Sequence, residues 1–332
     1  MKLIEIEIMN KESIVNVEAD YIMLKNAEEG LFGPELNVNK VSGGLLSLLN
    51  KPEETKIGAV NIITNVSGTS AKGVILIGIG LGFQFRYKAL GIMCKKMIET
   101  VFKISPPVKV IATVNHGVGF GLDRREVFLT QLVSFKSALE KTDKTLEIEK
   151  IRFNETKEMN VNFLKVYLKE LSDLDESPII KKEDKYFLQL GKSSEILTQF
   201  VMRVEKGDYV FVAMPFAEEF ENVYDFGIRL PIIEKQFQPI RTDKKYFVGS
   251  VLREIQNRIQ KSILVIADIS TLNPNVMFEL GYAQGCGKPT IIICRTGEKL
   301  PFNVSGMNII FYNPHLLREL NDSLLKALSA IM

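Results

Sequence analysis

The run ADISTLNPNVMFELGYA, residues Ala267–Ala283, reads as the end of a strand, a turn and a helix. Ile263–Ile269 is a short apolar stretch bearing Val and Ile, the pattern of a strand buried on both faces. Asn273 suits a helix N-cap, and Pro274 suits the first helical position, where the missing N–H would be unpaired anyway. The helix is predicted over Pro274–Gly285. Val276, Leu280 and Ala283 form the stripe that packs on a sheet, while Asn275 and Glu279, four apart, share one face.

The same rhythm continues on both sides. Tyr209–Met214 is a buried strand stopped by Pro215, and Ala217–Phe237 is mostly helical with Pro231 kinking it. Strand Pro239–Thr242, helix Val248–Gln260, strands Thr290–Cys294 and Asn308–Tyr312, and helix His315–Ile331 complete five βα-type units. Such an alternation predicts a parallel sheet with helices on both faces and right-handed crossovers, spanning 207–332.

The first part, 1–172, also alternates. Leu3–Met9, Tyr21–Leu24, Ile57–Ile63, Gly73–Ile79, Val108–Val114 and Leu146–Phe153 read as strands. Tyr87–Phe102, Met159–Leu171 and a stretch from the N-cap Asp123 to Lys141 read as helices, with the start of a short helix in Val41–Leu49. The polar stretch Ser172–Lys185 reads as a linker and Tyr186–Glu205 as an adapter helix region, so 173–206 separates two α/β domains.

Length and composition suit two soluble domains: 332 residues, 46% hydrophobic and 25% charged. A formal net charge of +2 gives no bulk electrostatic case for nucleic acid or an anionic membrane. Three scattered cysteines (Cys94, Cys286, Cys294) and two histidines (His116, His315) form neither a disulfide framework nor a zinc pattern, so no metal is expected. The opening MKLIEIEIMN lacks the pattern of a signal peptide, and no apolar run is long enough to span a bilayer. A cytoplasmic location follows as the expectation.

Ligands of such sheets bind outside the carboxyl ends of the strands. In the second domain those ends carry Met214, Pro215 and Phe216, then Arg241, Thr242 and Asp243, then Asp268, Ile269 and Ser270 followed by Thr271–Asn275. Glu279 lies one turn inside the next helix between apolar neighbours, Phe278 and Leu280. A shielded carboxylate there can attack an anomeric carbon or steady an oxocarbenium-like cation. A glutamate favourably placed in an early helical turn is the plainer alternative.

The segments VFVAMPF, IADIS and NPNVMFELGYAQGCGKPTIII, in that order over about Asp208–Tyr312, resemble the nucleoside 2-deoxyribosyltransferases and their bacterial TIR-like relatives. The resemblance implies a flavodoxin-like domain that breaks an N-glycosidic bond, with Glu279 as catalytic carboxylate. It implies Asp268 and Asn275 at the sugar hydroxyls and Phe216 lining the base pocket, while Met214, Asp243 and Ser270 are expected as further substrate contacts from their place at the strand ends. Lys288 and Pro289 match the turn into the next strand. Substrate remains open between NAD and a nucleoside, with no cofactor implied.

Two glycine-rich stretches of the first domain follow strands: Gly78–Gly82, and Asn115–Asp123 with Gly117, Gly119 and Gly121. Such glycines let backbone N–H groups approach phosphate. Neither stretch is a P-loop or a dinucleotide fingerprint. The first reads as a tight turn only. His116 either contacts a ligand or hydrogen-bonds structurally, and Cys94 reads as core. With VILIGIG and GFGLDRREVF, the order of elements resembles macrodomains, which bind ADP-ribose-like ligands, and the amino-terminal domain of leucine aminopeptidases.

Together these resemblances imply a nucleotide-regulated NAD glycohydrolase-like effector, homo-oligomeric, of the kind found in bacterial antiphage defence. A salvage transferase or nucleoside hydrolase, and a non-catalytic nucleotide sensor, are the alternatives.

Overall fold

The computed structural model of the chain describes residues 2–82, 85–120, 122–141, 147–175, 177–191, 208–241, 251–300, 304 and 306–331. Contacts divide it into two compact units, Met1–Val118 with Arg124–Met202, and Gly119–Asp123 with Arg203–Met332.

The first unit is built on an eight-stranded sheet in the order β3-β4-β2-β5-β6-β1-β8-β7. Its strands are β1 (Leu3–Met9), β2 (Ala19–Ala27), β3 (Val60–Thr64), β4 (Ala71–Gly80), β5 (Val110–Val114), β6 (Lys150–Asn154), β7 (Ile179–Lys182) and β8 (Lys185–Gln189). β1, β6, β5, β2 and β4 run parallel, so their carboxyl ends share one edge. β3 and the β8–β7 hairpin add antiparallel strands at either side. Helix α1 (Pro34–Val41) and the 3-10 turn Leu45–Leu49 cover one face, where Val38 and Leu46 pack with Ile22, Leu24, Val74 and Ala112. Helix α4 (Arg124–Glu140) packs on the other, with Phe128 edge-on to Phe153 at 4.8 Å. Helices α2 (Pro52–Thr55), α3 (Tyr87–Val101) and α5 (Glu158–Ser172) complete this unit among the described residues.

Two expectations change here. The helix expected within Val41–Leu49 begins earlier, at Pro34, and ends at Val41, because Gly43 and Gly44 take left-handed backbone (φ 68 and 91) and restart the chain as the 3-10 turn. The stretches expected as linker and adapter contain β7 and β8; β8 pairs on β1, β7 pairs on β8, and together they carry the first sheet past residue 172. Their charged composition hid these strands: Lys181 and Lys182 stand on the edge strand β7, where solvated lysines are at home, and the exposed Lys185 opens β8 beside them. Part of the expected adapter helix is strand β8, and 192–205 lies outside the described residues.

The second unit has a five-stranded, all-parallel sheet in the order β10-β9-β11-β12-β13. The strands are β9 (Tyr209–Ala213), β10 (Gln238–Arg241), β11 (Leu264–Asp268), β12 (Thr290–Arg295) and β13 (Ile309–Tyr312). Counted within this unit the order is 2-1-3-4-5, the flavodoxin-like arrangement. Helices α6 (Arg229–Glu234) and α9 (Leu317–Ile331) cover the face bearing Val210, Val212, Leu264 and Ile266. Helices α7 (Val251–Lys261) and α8 (Pro274–Gly285) complete this unit's helices among the described residues.

The continuous helix expected over Ala217–Phe237 is broken into a 3-10 turn (Glu218–Phe220), a π-helical stretch (Val223–Ile228) and α6, with Pro231 in α6. Proline cannot donate back along the helix, and the wider π turn precedes it. Gly227 in that stretch lies against Leu320 of α9, where a Cβ would come within 2.6 Å.

Gly78 marks another close approach: a Cβ there would sit 2.1 Å from the Lys56 carbonyl oxygen. Gly78→Val is expected to destabilise the protein by about 1–3 kcal/mol or more. Gly281→Ala, in α8 with open space at its Cβ, is expected to stabilise it by about 0.4–1 kcal/mol. Urea denaturation of both variants checks the pair.

Candidate functional site

In the second unit the chain leaves β9 toward β10 and leaves β11 toward β12, in opposite directions. The crevice between the carboxyl ends of β9 and β11 is therefore the expected ligand position. Asp268 closes β11 there and is fully buried. Its Oδ1 accepts the Ser270 hydroxyl at 2.6 Å and the Ser270 N–H at 3.0 Å, and its Oδ2 accepts the Tyr312 hydroxyl at 2.7 Å. The Ser270 oxygen in turn accepts the Arg295 N–H at 2.7 Å. Burial raises the Asp268 pKa, opposed by the Ser270 and Tyr312 hydrogen bonds and the Arg295 charge. Burial and the Asp268 charge raise the Tyr312 phenol, and burial pushes the Cys294 thiol up to about 11.

This network engages both oxygens of Asp268 inside the protein, and Ser270, fully buried, belongs to it. Sequence spacing carried no sign of Tyr312, 44 residues away, whose place at the end of the last strand makes it a partner.

After Asp268 the backbone turns through Thr271 (φ 64) and Leu272 (φ 48), left-handed conformations that cost on the order of 1–3 kcal/mol each outside glycine. Asn273 then caps α8, its Oδ1 accepting the Asn275 N–H at 2.9 Å, with Pro274 in the first turn as expected from the sequence. Val276, Glu279, Leu280 and Ala283 are the buried residues of α8, so Glu279 shares the sheet-facing stripe and is only 7% exposed. Asn275 is exposed. Asp268 alternates with Leu264 and Ile266 and so belongs to the face that α6 and α9 cover, not to that of α8. The sequence gathers Asp268 and Glu279 into one constellation; the fold assigns them to different layers.

Met214 is buried and Phe216 is 43% exposed. The Arg241 guanidinium lies over the Phe216 and Tyr224 rings at 5.0 and 4.7 Å. Asp243 lies outside the described residues.

The first unit has its own reversal of strand order, between β2 and β5. At these neighbouring carboxyl ends Asn26 and Asn115 each leave a buried side-chain oxygen without a hydrogen-bond partner among the described residues. Their amides are held, Asn26 on the Leu49 carbonyl at 2.9 Å and Asn115 on that of Arg124 at 3.3 Å. Gly117 takes φ 102, and Gly119 lies in the 3-10 turn Val118–Phe120; Gly121 lies outside the described residues. His116 is buried, with Nε2 3.0 Å from the Thr113 hydroxyl and 3.3 Å from the Met23 carbonyl, and its N–H donates to Gln131. Burial, reinforced by the Lys25 charge and opposed by the Met23 hydrogen bond, lowers its pKa to about 3. Of its two sequence readings, this environment is that of a neutral structural hydrogen-bonder. In the Gly78–Gly82 stretch, Gly78 meets the end of α2 and Gly80 has φ 67, so these glycines serve close packing and a turn.

Among the described residues no cluster of three His, Cys, Asp or Glu side chains forms a metal site, and no helix is long and apolar enough to cross a membrane.

No family model matches the chain, and neither does any curated protein. Solved structures similar to it include the Trypanosoma brucei macrodomain in complex with ADP, at 15% identity over 49% of this chain and 69% of that one, TM-score 0.41. The Oceanobacillus iheyensis macrodomain with MES bound is 16% identical over 50% of this chain and 91% of that one, TM-score 0.42. The macrodomain of Mycobacterium tuberculosis DarG is 13% identical over 45% and 97%, TM-score 0.38.

Two outcomes test the electrostatics. Unfolded, His116 takes a proton near pH 6.5, whereas folded it resists down to about 3. The stability it supports is complete above pH 6.5 and is lost as pH falls through that window, so His116→Asn is expected to flatten the acid slope of stability by up to about one proton. Tyr312→Phe removes a donor from the buried Asp268 carboxylate and raises that pKa further. It is expected to cost about 1–3 kcal/mol at neutral pH and less once acid protonates Asp268. Chemical denaturation across a pH series reads both.

Proposed function

We propose that the second unit is an N-glycosidase that releases the base from NAD or a close dinucleotide relative through Glu279. The observation that carries this reading is the burial of Glu279 on the inner stripe of α8, the helix that follows β11 from the strand-order reversal. A carboxylate is costly to bury and packs poorly, so an ordinary helix stripe would hold an apolar residue there. In the reaction the bond from the anomeric carbon to the ring nitrogen breaks and its electron pair leaves with the base. Glu279 stabilises the resulting oxocarbenium-like cation, water adds to the anomeric carbon, and its proton passes to solvent.

Nicotinamide departs from a cationic pyridinium as a neutral base, so this step needs no general acid. That suits a crevice whose other carboxylate, Asp268, is tied up internally. It favours the NAD reading over transfer or hydrolysis of ordinary nucleosides, whose leaving bases gain from protonation. The first unit, in this reading, binds a nucleotide of the ADP-ribose type at the β2–β5 ends, where Asn26 and Asn115 hold unsatisfied acceptors. Occupancy there regulates the glycosidase.

Glu279→Gln keeps the shape and removes the charge. Nicotinamide release is expected to fall on the order of 10²–10³-fold with the cooperative melt retained. Undiminished release would remove Glu279 from catalysis, and loss of the melt would make it structural.

A further inference from the structure

We infer that Arg241 and Arg295 form a two-point clamp for the diphosphate of the substrate, closed in the free protein by Glu219 and Glu221 acting as internal phosphate mimics. This rests on the N-glycosidase reading of the second unit and names the residues that would hold the diphosphate of its dinucleotide substrate. Arg241 ends β10 and Arg295 ends β12, the strands that flank β9 and β11 on either side. Three strand spacings separate them at the base, about 14 Å. Yet one short turn reaches both: Glu221 pairs with Arg241, and Glu219 pairs with Arg295 at 3.4 Å.

Each guanidinium lies over aromatic rings, Arg241 over Phe216 and Tyr224, and Arg295 over Phe220 at 4.8 Å. Ring stacking fixes a planar fork while leaving its N–H edge for an anion. The arginine side chains are mostly buried, at 15% and 23% exposure, whereas the glutamates that cap them are about half exposed, at 48% and 56%. Nε of Arg295 is buried and has no hydrogen-bond partner among the described residues. Exposed carboxylates capping shielded cations gain little stability from the pairing. A phosphate, with more charge and more acceptor oxygens, displaces them at small cost.

The test is titration calorimetry of the full chain with inorganic pyrophosphate, with a thermal melt of each variant. Glu219→Gln combined with Glu221→Gln removes the competing charge from exposed positions and is expected to tighten binding about tenfold, while Arg295→Gln or Arg241→Gln weakens it about tenfold. Affinity unchanged by the arginine substitutions, or no tighter in the double glutamine variant, overturns the clamp. If the clamp holds and no base is released from NAD, the glycosidase reading fails alone. If release persists with KM unchanged in Arg295→Gln, the clamp fails alone.

Discussion

The carboxylate of Asp268 is the constraint on which the carboxyl edge of the second unit's sheet depends. A buried carboxylate is tolerated only when its oxygens are hydrogen-bonded, and here Ser270 and Tyr312 satisfy them. Satisfying Oδ2 pins the end of β13 to the end of β11, and Ser270 hands the connection on to β12 through the Arg295 N–H. The turn that follows is forced through left-handed backbone at Thr271 and Leu272 before Asn273 can cap α8. That sequence of constraints sets where the helix begins and therefore where Glu279 sits. Asp268 thus acts on the crevice by holding its walls.

Both units present the same topological solution. Parallel strands put their carboxyl ends at one edge, and a reversal in strand order opens a crevice there. In the first unit the reversal lies at β2 and β5, with amide oxygens of Asn26 and Asn115 unsatisfied among the described residues. In the second it lies at β9 and β11, flanked by two ring-stacked arginines. Neutral polar acceptors suit a ligand that donates hydrogen bonds, such as an adenine amine or ribose hydroxyls. Guanidinium forks suit a phosphate. In the proposed reading these two chemistries take different parts of related nucleotides.

Local patterns made much of the fold legible. Helix α8 was readable to its ends because Asn273, Pro274 and the Val276–Leu280–Ala283 stripe are all local signals. β1 was readable from its alternation, and the parallel strands from their apolar runs. The β7–β8 hairpin was not, because its lysine-rich edge looks like solvated linker. The π-helical stretch before Pro231 was also hidden, since its geometry answers the close packing of Gly227 on Leu320. Of the proposed site, Glu279 and Phe216 are readable as residue types at strand and helix ends. The Asp268–Tyr312 bond and the Glu219–Arg295 pair were not, because each joins residues far apart in sequence.

The proposed activity is defined by the bond that would be broken. The most direct measurement is chromatography of purified full-length protein incubated with NAD, with and without ADP-ribose, alongside a parallel incubation with a deoxynucleoside and a second free base. Nicotinamide and ADP-ribose are expected to appear together in equal amounts from NAD, with the deoxynucleoside left unexchanged. Base exchange on the deoxynucleoside with NAD untouched would contradict the dinucleotide reading, and a folded protein that leaves both substrates intact under every condition would contradict an N-glycosidase altogether.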